Sequence, residues 1–167
     1  MLKTAEISNC ETYRYQLKRQ WESEENLVLF ICLNPATADA ENNDKTCNRC
    51  IEFAKEHGYS GLIITNVFAF RSEFPNEMKN AENPVGLLND EWIIKSIRLC
   101  KAIVVGWGND GAYQNRDIEV LKILKEHGKD KLIFCLGKNT NGQPSHPSRL
   151  TKGTKFQPFD IYTLLKE

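Results

Sequence analysis

Three side chains in this sequence stand where chemistry would need them. Asn34 follows the apolar run "NLVLFICL" and precedes Pro35, at the start of the polar stretch "NPATADAENND". Proline fixes its own φ and drives the residue before it toward extended backbone, so the Asn34 amide projects from a rigid strand end. Asn66 stands near the end of a second apolar run, "GLIITNVFAF". Its amide offers one acceptor and a pair of donor hydrogens, which match the edge of a base or another flat ligand, or tie down a neighbouring loop. His146 lies between two prolines in "PSHPSRL". His57 and His127 each precede a glycine at a helix end, where the C-terminal dipole favours them. His146 has no such structural reason, and an imidazole there can carry a proton or stabilise charge.

Other groups surround these three. Asp39 and Asp44, in the polar loop, could hold or activate a water as general base, or be solvated loop carboxylates. "GWGNDG" (106–111) has the spacing G-x-G-x-x-G, but a dinucleotide site would also need an acid ending the next strand, which reads "FCLGK". The glycines are therefore read as permitting a tight turn and close approach of a ligand or of Trp107. Trp107 itself is a stacking surface or plain core. Cys47 and Cys50 form a single C-x-x-C, and a zinc or iron–sulfur site would want more ligands at comparable spacing. No metal or cofactor is expected. The six cysteines are read as reduced thiols, with Cys32, Cys100 and Cys135 as small core residues.

The elements that must hold these groups follow from periodicity. Residues 12–20, "TYRYQLKRQ", alternate as a half-exposed strand with Tyr13, Tyr15 and Leu17 on one face, and "ESEEN" turns the chain into "LVLFICL" as a hairpin. A helix is predicted at about 46–57, stopped by Gly58. Strand 61–70 leads into a polar loop over about 71–89, and Asn89 or Asp90 caps a helix through about Leu99. Strand 102–108, a helix over about 115–127 and strand 131–137 follow, then a polar loop over 138–150 and a tail packing back onto the body. Unbroken apolar strands separated by helices imply a mostly parallel central sheet covered on both faces, with the N-terminal hairpin as an antiparallel edge. The expectation is one three-layer α/β domain over 1–167. In such a sheet the four carboxyl ends share one rim, where ligands bind. Those ends carry Asn34-Pro35 with Thr37 and Asp39, then Thr65-Asn66 and Arg71, then Trp107, and then the His146 loop.

Bulk properties narrow the partners. Lys plus Arg and Asp plus Glu both total 22, so no global field draws in nucleic acid or acidic lipid. The charges cluster all the same. Those between Glu22 and Asp44 are all acidic, and those between Lys129 and Lys155 are basic except Asp130, a face able to meet phosphate. No stretch approaches the length of a membrane span and the start lacks a signal-peptide core, so a cytoplasmic protein without membrane partners is expected. The oligomeric state is open.

Taken together, "LNPATAD", "TNVFAFR", "NPVGLLND", "GWGNDG" and "CLGKNTNGQPSHPSRL" resemble domain-of-unknown-function family 1643, an uncharacterised bacterial and phage family, over residues 12–159. More distantly, Asn34-Pro35, Thr65-Asn66-Val67 and His146-Pro147-Ser148 resemble three motifs of the uracil-DNA glycosylase superfamily, in the same order. That likeness implies a glycosylase-like fold and a nucleobase, nucleotide or nucleic-acid ligand. It implies hydrolysis of an N-glycosidic bond, with Asn34 positioning water and His146 stabilising charge on the leaving base. Asp39 would be a reserve base. Pro35, Thr37, Asn66, Arg71, Trp107, Ser148 and Arg149 would contact substrate, with Arg71 and Arg149 meeting phosphate and Leu150 a wedge. The aromatic that stacks on a flipped base in that superfamily has no counterpart in "ATADAENNDKTCNRC". The alternative is a non-catalytic module that binds a nucleotide or nucleic acid.

Overall fold

The computed structural model describes residues 1–166. Its frame is one seven-stranded sheet, in the order β1-β2-β4-β3-β5-β6-β7. The strands are β1 (Leu2–Ile7), β2 (Arg14–Gln20), β3 (Leu27–Cys32), β4 (Gly61–Asn66), β5 (Ala102–Val105), β6 (Leu132–Cys135) and β7 (Gln157–Pro158). The helices are α1 (Lys45–Glu56), α2 (Pro75–Asn80), α3 (Asn89–Leu99), α4 (Arg116–His127) and α5 (Tyr162–Leu165).

Successive side chains of a strand point to opposite faces, so an unbroken apolar strand must be covered twice. Leu27, Leu29 and Ile31 of β3 pack with Ile93 and Ile97 of α3 and Val120, Leu121 and Leu124 of α4. Val28, Phe30 and Cys32 pack on the other face with Cys50, Ile51, Phe53 and Ala54 of α1. Each Leu, Ile, Val or Phe among these contributes about 2 kcal/mol by burial. The result is a sheet flanked by helices, as the periodicity implied.

The strand pairing differs from the expectation in two respects. β2 does not form a hairpin with β3. It pairs antiparallel with β4, Leu17 opposite Ile64, and β1 is its hairpin partner. The parallel set is β4-β3-β5-β6, and antiparallel ladders flank it on both sides, so the sheet is mixed rather than mostly parallel. Nor is β2 half-exposed. Gln16 Nε2 donates to Ser96 Oγ on α3 at 2.8 Å, and Arg14 and Arg19 are buried under the loop that leaves β3.

The helix limits match the periodicity closely, except that α2 lies inside the stretch read as loop. Asn89 and Asp90 do not cap α3, whose preceding residue is Leu88. The Asn89 amide turns inward instead and donates to the carbonyls of Asn66 at 2.8 Å and Val67 at 3.3 Å. Arg116, 1% exposed, donates to the Val67 carbonyl at 2.6 Å and pairs with Asp90. Both contacts fasten the carboxyl end of β4 to the helices behind it. The tail returns as expected, with Phe159, Ile161 and Leu165 buried.

Candidate functional site

The β3–β5 boundary is where the sheet reverses its winding. The chain leaves β3 for α1 on one face and leaves β5 for α4 on the other, while Ile31 and Val105 remain register partners. Chains diverging from neighbouring parallel strands open a crevice at their carboxyl ends. Here it is a cavity of about 690 Å³, a size suited to a small molecule. Leu33, Asn34 and Ala36 line it from β3, and Trp107, Gly108, Asn109 and Asp110 from β5. Ser72, Glu73 and Pro75 close one side, and His146, Ser148 and Arg149 another.

Asn34 is held in one orientation. Its Nδ2 donates to the carbonyls of Pro35 and Phe70 at 3.3 Å and of Ser72 at 3.0 Å, and lies 3.0 Å from Ser72 Oγ. Four oxygens around one end identify that end as nitrogen, leaving Oδ1 without a protein partner. The amide thus fastens the loop after β4 and retains a free acceptor.

His146 lines the same cavity from the loop that follows β6. Its Nδ1 accepts from the Ser148 N–H at 3.2 Å and lies 2.8 Å from Ser148 Oγ. Burial, with the nearby Arg149 charge, pushes the imidazole down to about 4. The ring is therefore neutral at physiological pH. An Nδ1 that accepts leaves the proton on Nε2, which has no protein partner. Glycines permit this placement. A Cβ on Gly106 would lie 3.1 Å from Pro147 Cδ and 3.2 Å from the Ser145 carbonyl, and Gly108 has φ of +70°. A Cβ on Gly111 would lie 2.1 Å from Trp107 Cδ1.

Asn66 is close to this cavity without lining it. It faces a recess of about 20 Å³, bounded also by Arg14, Asp44 and Cys47, which shares Asn34, Ala36 and Thr46 with the main cavity. Pro35 lines the recess as well. The two amides and the imidazole thus occupy one region, in two compartments that share three lining residues.

Several sequence candidates have other tasks. Asp39 Oδ1 accepts from the N–H groups of Glu41 at 2.9 Å and Asn42 at 2.8 Å, which hold its carboxyl below the usual range. It shapes its own loop and lines neither compartment. Asp44 caps α1 through Cys47 N at 2.9 Å and accepts from Ala38 N at 3.1 Å. Thr37 is exposed outside both compartments, and Arg71 donates to the Glu11 carbonyl at 3.2 Å. Trp107 is core. It is 0% exposed, and its Nε1 donates at 2.8 Å to Gln143, which in turn donates to Asp117 at 2.9 Å. Several residues at the site were not singled out in the sequence, two of them charged. Glu73 brings an exposed carboxylate to the cavity, and Arg14 brings a buried guanidinium to the recess.

The C-x-x-C pair lies on the buried side of α1, where burial pushes the Cys47 thiol up to about 11 and Cys50 well above its ordinary value. All six cysteines are free thiols. Among the described residues no group of three or more His, Cys, Asp and Glu side chains could hold a metal ion. No described helix is long and apolar enough to cross a membrane.

Residues 14–148 match the family described as "Protein of unknown function (DUF1643)", and the chain belongs to that family. No curated protein and no solved structure matches it.

Proposed function

We propose that this DUF1643 protein binds a nucleobase, as a nucleoside, nucleotide or nucleic-acid residue, in the cavity between β3 and β5, and hydrolyses its N-glycosidic bond in a uracil-DNA-glycosylase-like manner. The observation that carries the reading is complementarity across the cavity. Asn34 presents an acceptor and the neutral His146 presents a donor, both fixed by contacts that leave no protein partner for the working atom. Water oriented by Asn34 Oδ1 attacks the anomeric carbon. The bond to the base breaks, and the electron pair leaves with the base. The Nε2 proton of His146 stabilises the charge that develops there, the kind of fixed-dipole stabilisation that supplies much of such a rate enhancement. With Asp39 committed to its loop and Asp110 paired with Lys79 at 2.7 Å, Glu73 is the cavity carboxylate left to take the water proton. Arg149, exposed on the same wall, meets phosphate.

One observation favours a second reading, a binding module without turnover. The aromatic ring at the cavity, Trp107, is buried and cannot stack on an incoming base. Uracil-, hypoxanthine- and mismatch-containing oligonucleotides, together with the free nucleosides, separate the two. The glycosylase reading expects abasic product and free base, reduced about 100-fold or more in Asn34→Ala, His146→Ala and Glu73→Gln. Binding without product in every substrate supports the module, and neither binding nor product rejects both.

A further inference from the structure

One buried amide joins three elements at the edge of the cavity. Gln143, 6% exposed, belongs to the loop that carries His146. Its Oε1 accepts from Trp107 Nε1, just beyond β5, at 2.8 Å. Its Nε2 donates to Asp117 Oδ2, in the first turn of α4, at 2.9 Å. An indole N–H can only donate and an ionised carboxylate can only accept, so the two partners allow the amide one orientation. Asp117, itself 4% exposed, is favoured as an anion by its place at a helix N-terminus. A second side-chain tie between this loop and the exit of β5, Asn139 Nδ2 to Asn109 Oδ1 at 2.8 Å, is exposed, and water can take its place. The buried Gln143 bonds have no such substitute.

We infer that Gln143 and Asp117 are positioning residues for His146, setting where the imidazole stands in the cavity without touching the ligand. Neither lines the cavity, whereas Trp107 and His146 both do. The connection from Gln143 to His146 is short and stiff. Gly108 N donates to the Pro144 carbonyl at 2.8 Å, and Ser145 N to the Gly137 carbonyl at 2.9 Å. Pro144 and Pro147 fix φ on either side of Ser145 and His146. A shift of the Gln143 amide is therefore passed on to the ring rather than absorbed between them. Ser148 fixes which ring nitrogen carries the proton, and the Gln143–Asp117 pair fixes where that nitrogen stands. The consequence for turnover rests on the base-site reading above, since a misplacement of about 1 Å can cost on the order of 100-fold in rate.

Variants of the pair test this through the imidazole nitrogen resonances of His146, with inosine hydrolysis as the second readout. Gln143→Met keeps the length of the side chain and strands both partners. In the folded variant the His146 resonances should move while the Asn34 side-chain amide stays fixed. The kcat on inosine should fall about tenfold or more with little change in KM. Asp117→Asn combined with Gln143→Glu exchanges the two groups. The carboxylate then accepts from Trp107 and from the exchanged amide, so charge and hydrogen bonds are kept, and the wild-type resonances and kcat should return. Gln143→Glu alone sets two carboxylates against each other and should move the resonances at neutral pH. Unmoved His146 resonances in folded Gln143→Met, even with lowered stability, overturn the inference and make the pair plain core. So does a folded exchange variant that fails to restore them, which also decides the matter should Gln143→Met not fold. The resonances decide the positioning whether or not inosine is cleaved. Resonances that move and are restored, in a protein that neither binds nor cleaves inosine, sustain the positioning and reject the base site.

Discussion

The backbone N–H of Ser148 donates to Nδ1 of His146 at 3.2 Å, which makes the turn at Pro147–Arg149 the device that sets the tautomer of the ring. With Nδ1 occupied as acceptor, the proton resides on Nε2. The same contact resists protonation, since a second ring proton would oppose the N–H that the lone pair now accepts. Burial acts in the same direction and brings the imidazole to about 4.

The pH behaviour follows from that value. The folded ring titrates below its ordinary 6.5, at about 4, so as pH falls between these values the unfolded chain takes up a proton that the folded chain refuses. The stability from neutral His146 is present in full above 6.5 and lost across that window. Denaturation midpoints measured from pH 7 down to 4 should fall, and His146→Phe should flatten the fall. Ligand affinity should show no inflection from this histidine near 6.5.

The glycines after β5 give a second expectation. A Cβ at Gly111 would stand 2.1 Å from Trp107 Cδ1, and one at Gly106 would stand 3.1 Å from Pro147 Cδ. Gly111→Ala should therefore cost about 3 kcal/mol by overpacking and alter Trp107 fluorescence. Gly106→Ala should cost less, because proline and loop can shift by tenths of an ångström, but should move the His146 imidazole resonances. Gly153→Ala makes the comparison, since its φ is +88° and nothing lies within 4 Å. It should show backbone strain of about 1 kcal/mol and no change at the site.

Arg19 anchors the loop that follows Asn34. Fully buried, it donates to Asn43 Oδ1 at 2.8 Å and to the carbonyls of Asp39 at 2.5 Å, Asn42 at 3.1 Å and Lys18 at 2.9 Å. Arg19→Met strands those acceptors and should cost about 3 kcal/mol or more in urea denaturation. Amide exchange in residues 38–43 should quicken more than in β3.

Much of the framework could be read from residue types. Unbroken apolar runs placed β3, β4, β5 and β6, and their shared direction placed Asn34 and the His146 loop at one rim. The neighbour of β2 could not be read that way. Pairing between Leu17 and Ile64 depends on which edge the chain returns to, and a polar "ESEEN" between strands looks the same in a hairpin or a crossover. The burial of Arg14 and Arg19 was hidden for a related reason, because a loop distant in sequence from β2 covers them and supplies their carbonyl partners. Asp39 illustrates the converse. A carboxylate beside a strand end suggested a base, but its acceptor capacity is spent within its own turn. Glu73 gave no signal in a long polar stretch, and reaches the cavity because the Asn34 amide ties down Phe70 and Ser72.

The central claim is that Asn34 and His146 address one ligand in the β3–β5 cavity that both of them line. Nitrogen-detected NMR of the His146 imidazole and the Asn34 side-chain amide, during titration with inosine, tests it most directly. Both signals should move along a single saturation curve with one Kd. The His146 Nε2 proton should shift downfield as it gains an acceptor. A titration in which inosine binds while both signals stay fixed, or in which they saturate at different concentrations, would contradict the claim.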